Sequence, residues 1–94
     1  MTTYIYCKWI GSSAQEPDEI YSELDNFRNE TRKIERYNNG KVAYASRGIA
    51  VNGASLGIIP VPSLAEINAS PEFRARQITQ AEFEQQWQSA TGKR

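Results

Sequence analysis

Ninety-four residues with zero formal net charge, no histidine and one cysteine fit a single small domain and remove most of the chemistry that small enzymes use. Ser-His and Cys-His nucleophile pairs, a Cys₂His₂ zinc site and an internal disulfide are excluded. No stretch approaches the roughly 18 apolar residues of a membrane helix. The first ten residues also lack the basic-then-apolar pattern of a secretory signal, so a cytoplasmic location is expected.

Hydrophobic residues make up only 39% of the chain, but three Phe, five Tyr and two Trp supply rings large enough to build one core. Tyr4 to Ile10 alternates, with Ile5, Cys7 and Trp9 on one side and Tyr6 and Lys8 on the other, and reads as a strand. Gly11 to Pro17 reads as a loop. Glu19 to Leu24 alternates again, setting Ile20 and Leu24 on one face and Tyr21, Glu23 and Asp25 on the other. Asn39-Gly40 suits a type I′ hairpin turn joining a strand near Thr31–Tyr37 to one over Lys41–Ser46. Leu24, Phe27, Thr31, Ile34 and Tyr37 also fall at helical spacing, so residues 26–36 admit either reading; the turn's need for two partners favours strand.

Gly48 to Pro62, with a second Asn-Gly at Asn52-Gly53, reads as a long ordered loop or a short hairpin. Ser63-Leu64-Ala65-Glu66 is a capping box that opens a short helix, ending by Ser70 because Pro71 follows. Thr79-Gln80-Ala81-Glu82 is a second box, with Ile78 and Phe83 placed as its hydrophobic staple. Phe83, Trp87 and Ala90 form the apolar stripe of a C-terminal helix. The expected architecture is a single α+β domain over residues 1–94: an antiparallel sheet of about four strands, an amphipathic C-terminal helix on one face, and a flexible tail over 89–94.

The charges are segregated. Glu16, Asp18, Glu19, Glu23 and Asp25 lie between Gln15 and Asp25 with no cation among them. As a strand-and-loop surface with Tyr21 as aromatic anchor, they are the expected partner-binding site, able to fill the basic cleft of a nuclease and to speed association. The plain alternative is a solvated face that keeps an edge strand soluble. Between Arg28 and Arg47 the balance reverses, and Arg32, Lys33, Arg36 and Lys41 with Tyr37 and Tyr44 offer a weak nucleic-acid surface. Glu30 and Glu35 interrupt that run, and an isoelectric point near 6.3 is unusual for such a binder; cross-strand pairing with Glu23 and Asp25 explains it better. Cys7 shares a face with Ile5 and Trp9 and is expected to be buried and inert. No catalytic residues, metal site or cofactor are expected, although carboxylate-only catalysis exists elsewhere.

Several landmarks recur in order: Lys8-Trp9-Ile10, Pro17, Ile20 to Asp25, Arg32-Lys33-Ile34-Glu35, Asn39 to Ala45, Pro60-Val61-Pro62-Ser63 and Phe83-Glu84. Across nearly the whole chain they resemble a family of small bacterial single-domain proteins known only as a domain of unknown function. That resemblance implies membership without an activity. By analogy alone, small charge-segregated cytoplasmic proteins look like immunity proteins, which neutralise a cognate toxin. The expected function is thus inhibition of a protein partner, with a nucleic-acid-binding or structural accessory role as the alternative.

Overall fold

Six strands form one antiparallel sheet in the order β5-β4-β3-β2-β1-β6 in the computed structural model, which describes residues 1–92. β1 (Thr3–Trp9), β2 (Glu19–Leu24), β3 (Glu30–Arg36), β4 (Val42–Ser46) and β5 (Ile49–Val51) run as a meander. The chain then crosses the sheet through α1 (Leu64–Asn68) to lay β6 (Phe73–Ile78) along the free side of β1, and α2 (Gln80–Thr91) closes the domain.

The sheet therefore has six strands where about four were expected. β2 runs as its alternation predicts, and residues 30–36 are strand, with Arg32 opposite Ser46 and Ile34 opposite Tyr44. β5 is three residues long and pairs with β4 across Arg47-Gly48, and over residues 54–62 the segment is an ordered loop with no strand partner of its own among the described residues. β6 was not anticipated. Its free edge is closed locally by Asn68, whose side-chain amide accepts from the Ala75 N–H (2.6 Å) and donates to the Ala75 carbonyl (2.9 Å). A side chain thus stands in for a neighbouring strand, which blunts an edge that would otherwise pair with other chains.

The two Asn-Gly pairs differ. At Asn39-Gly40 only Gly40 has positive φ (92°). Its N–H donates to the Tyr37 carbonyl (3.1 Å) and the Tyr37 N–H donates to the Lys41 carbonyl (2.9 Å), so the β3–β4 loop has three residues rather than the two of a type I′ turn. At Asn52-Gly53 both φ values are positive (58° and 91°), the type I′ signature, and this turn sends the chain back from β5.

Strand alternation gives the sheet two different faces. Tyr4, Tyr21, Ile34 and Tyr44 face α2, which seats Phe83 against the Tyr4 ring (centroids 5.3 Å) and Trp87 edge-on to Tyr44 (5.5 Å). Both capping boxes form as read, at Ser63–Glu66 and Thr79–Glu82. Ser89 to Thr91, expected in a flexible tail, form the last turn of α2; residues 93–94 lie outside the described part. The second face carries Ile5, Cys7, Ser22, Leu24, Ala43 and Ala45, under Ala54, Leu56, Val61, Pro62 and α1.

Because Trp87 is only half-buried at the end of this packing, Trp87→Ala is expected to cost about 2 kcal/mol by chemical denaturation, less than the roughly 3–5 kcal/mol of a fully buried aromatic. A cost as large as that of Phe83→Ala would contradict this ranking.

Candidate functional site

Asp25 begins the site. One of its carboxylate oxygens accepts the Phe27 and Asn29 N–H groups, both at 2.9 Å, and these bonds hold its carboxyl below the usual carboxylate range. The tight turn so formed sets Arg28 at φ 64°, a left-handed conformation that a side chain adopts only when its surroundings enforce it. From there Arg28 clamps a distant segment. Its carbonyl accepts the Val61 N–H (2.8 Å), and its guanidinium donates to the carbonyls of Val61 (2.8 Å) and Pro62 (2.7 Å).

A second tether lies four residues upstream of Val61. Glu30, on β3, accepts the Gly57 N–H (2.6 Å) and pairs with Lys33 (3.1 Å), whose ammonium also donates to the Ser55 carbonyl (2.9 Å). Both ends of the Gly57–Val61 segment are thus fastened, and its tip holds Ile58 and Ile59, exposed by 97% and 71%. The Arg28–Val61 bond brings the adjoining turn alongside, where Phe27 is 75% exposed. Isolated exposed apolar residues are ordinary; two adjacent isoleucines on a segment fastened at both ends are not isolated ones.

Beside this knuckle, the strap Val61–Pro62 and α1 stand off the sheet and leave a groove of about 400 Å³. Ile5, Cys7, Ile20 and Phe73 line its sheet side, Val61 and Ile67 the wall across from it, and Ser22 and Glu30 supply polar atoms. Cys7 is buried, as its face predicts, and burial pushes its thiol up.

The six residues expected to form an anionic partner surface are placed otherwise. Glu23 lies beneath α2, where Arg32 donates to both its oxygens (2.9 and 2.7 Å) and also reaches Glu84 (3.0 and 2.5 Å). Asp18 pairs with Lys8 at 2.7 Å, and Glu19 accepts the Tyr6 hydroxyl at 2.5 Å. Tyr21 packs on the Tyr6 ring, centroids 5.0 Å apart. Asp25 braces its turn, and Glu16 accepts the Ser13 N–H (2.9 Å). The face shared by Tyr21 and Glu23 is the one that α2 covers. Alternation revealed that these side chains share a face, not that a helix lies over it.

The candidate cations divide likewise. Arg32 is held between Glu23 and Glu84, its guanidinium 4.8 Å from the Phe83 ring centroid and 5.1 Å from that of Trp87. Arg36 donates to Gln86 and Ser89 of α2, Lys33 works on the opposite face, and Lys41 stands over the Tyr37 ring at 4.6 Å. They form no continuous stripe.

The Arg32 bonds hold the Glu23 carboxyl below its ordinary range, against the upward push of burial. A lowered folded-state pKa adds stability that is present above the unperturbed value of 4.5 and lost as pH falls through the lowered one. Glu23→Gln is therefore expected to flatten the fall in unfolding free energy between neutral pH and the acid side of 4.5, and an unchanged slope would show that another carboxylate sets it.

Sequence reasoning missed Phe27, Arg28, Ile58 and Ile59. The only local signal was an isoleucine pair between Gly57 and Pro60 in a segment already read as loop. The chain belongs to the family described as Domain of unknown function (DUF6881), which matches residues 3–92. No curated protein and no solved structure matches it.

Proposed function

We propose that this member of the family works by contact: it binds another protein, in the manner of a cytoplasmic inhibitor, and catalyses nothing. One observation carries the reading, the pair Ile58–Ile59 held almost fully in solvent on a segment tied down at Gly57 and Val61. Leaving two isoleucine side chains unburied forgoes roughly 1.5–3 kcal/mol each, a cost that a partner surface would recover on binding. Bracing removes the loop-ordering entropy that a floppy tip would lose at that moment. Of the acidic stretch only Asp25 braces this surface, through the turn that carries Arg28, and Glu30 on β3 is its second anchor. A bacterial toxin is the partner class we favour, by analogy with immunity proteins.

The test pairs Ile58→Asp/Ile59→Asp with Glu16→Lys, each compared with the natural chain for capture of its partner from native cells. The first variant is expected to lose the partner while keeping unfolding free energy within about 0.5 kcal/mol, as for exposed positions. Glu16→Lys is expected to keep it. Full capture by the aspartate variant would refute the knuckle as the docking surface, and loss by Glu16→Lys would return the site to the acidic stretch.

A further inference from the structure

We infer that the groove beneath α1 is a binding site for a small amphiphile with a hydrogen-bond-donating, neutral or cationic head and a short unbranched apolar tail. This inference is independent of the partner-docking reading, because the groove lies under the strap and the knuckle projects from it. Its volume of about 400 Å³ falls in the lower part of the range for small-ligand pockets, roughly 300–1,000 Å³. The walls are what such a tail requires: Ile5 and Ile20 from the sheet, Val61 from the strap, Ile67 from α1 and Phe73 from β6.

The head is specified by the polar groups. The charged side chains lining the groove are Glu30 and Glu66. Lys33 pairs with Glu30 but is shared with Glu35 (3.8 Å) and with the Ser55 carbonyl, so carboxylates outnumber ammonium groups here. Arg28 gives two of its five N–H donors to the Val61 and Pro62 carbonyls, and its side chain is not part of the groove lining. Ser22 is buried within the groove wall, and its hydroxyl reaches Glu30 only at 3.4 Å, a long bond that leaves the hydroxyl oxygen able to accept from a ligand. An ammonium head donates to both Ser22 and Glu30 and an alcohol head to one of them, whereas a carboxylate head would meet like charge in a place of low dielectric.

The experiment follows the isoleucine methyl resonances of the full chain by NMR during titration with n-octylamine, 1-octanol and octanoate. Saturable shifts are expected at Ile5, Ile20 and Ile67 with the amine and the alcohol, at least tenfold weaker affinity for octanoate, and no shift at Ile34 on the opposite face. Ser22→Ala should weaken 1-octanol at least threefold, and Ile67→Trp, which fills the groove, should abolish the shifts at Ile5 and Ile20. Three results would each overturn the assignment: no saturable shift with any probe, equal affinity for octanoate, or shifts confined to Ile58 and Ile59. The titration of the natural chain decides the matter even where a variant fails to fold.

Discussion

Arg32→Met is expected to lower the unfolding free energy by about 3 kcal/mol, within the range for breaking a buried ion pair. The guanidinium joins strand to helix: it donates to Glu23 on β2 and Glu84 on α2 and lies over the Phe83 and Trp87 rings. Methionine keeps much of the packing volume but strands Glu23, whose side chain is only 14% exposed, facing a second carboxylate across the vacated site. The partial exposure of Arg32 and Glu84 keeps the figure at the low end of the range. Adding Glu23→Gln to Arg32→Met should restore part of the loss, since it removes the stranded charge. Strict additivity of the two substitutions in denaturant unfolding would contradict this coupling.

The same contact governs what a charge reversal at this site means. Glu23→Lys, attractive on sequence as a probe of an anionic docking surface, would set two cations together beneath α2 and disrupt the fold. Loss of partner binding in that variant would say nothing about an interface.

Phe83→Ala should have the largest effect of any single substitution in the core, about 3–5 kcal/mol. Phe83 is fully buried and packs with Tyr4, Ile34 and Ile78, so truncation leaves a void walled by a rigid sheet and unable to collapse. In a domain of this size that loss corresponds to a fall in Tm on the order of 15–30 °C, measurable by calorimetry. It is also a large share of the roughly 5–15 kcal/mol that holds small domains folded. A shift of only a few degrees would show that α2 contributes little to the core.

Much of this architecture was legible because local signals agreed with the fold. Thr79 and Glu82 cap α2 as their spacing implies, and Tyr4 to Trp9 alternates faces as its pattern implies. β6 escaped because Arg74, Ala75, Arg76 and Gln77 have weak strand propensity, and the strand exists through its pairing with β1 and the Asn68 amide. The type I′ turn was assigned to the wrong Asn-Gly pair because composition permits the turn at both, while the register of the flanking strands selects between them. The cross-strand pairing of Glu23 with Arg32 was readable in advance and is present. The Lys8–Asp18 pair was not, because charge order along the chain does not report which cations strand pairing brings to each carboxylate.

The candidate site was the least legible part. Adjacent isoleucines ordinarily mark a core, and only the tethers from Glu30 and Arg28, 27 and 33 residues away in sequence, turn Ile58 and Ile59 outward.

Whether this protein acts through its braced apolar knuckle is decided by placing a photo-crosslinking amino acid at Ile58 in native cells and, separately, at Gln85 on the exposed side of α2. One discrete protein adduct is expected from position 58 and none from position 85. Position 58 yielding no more adduct than position 85 would contradict action through the knuckle.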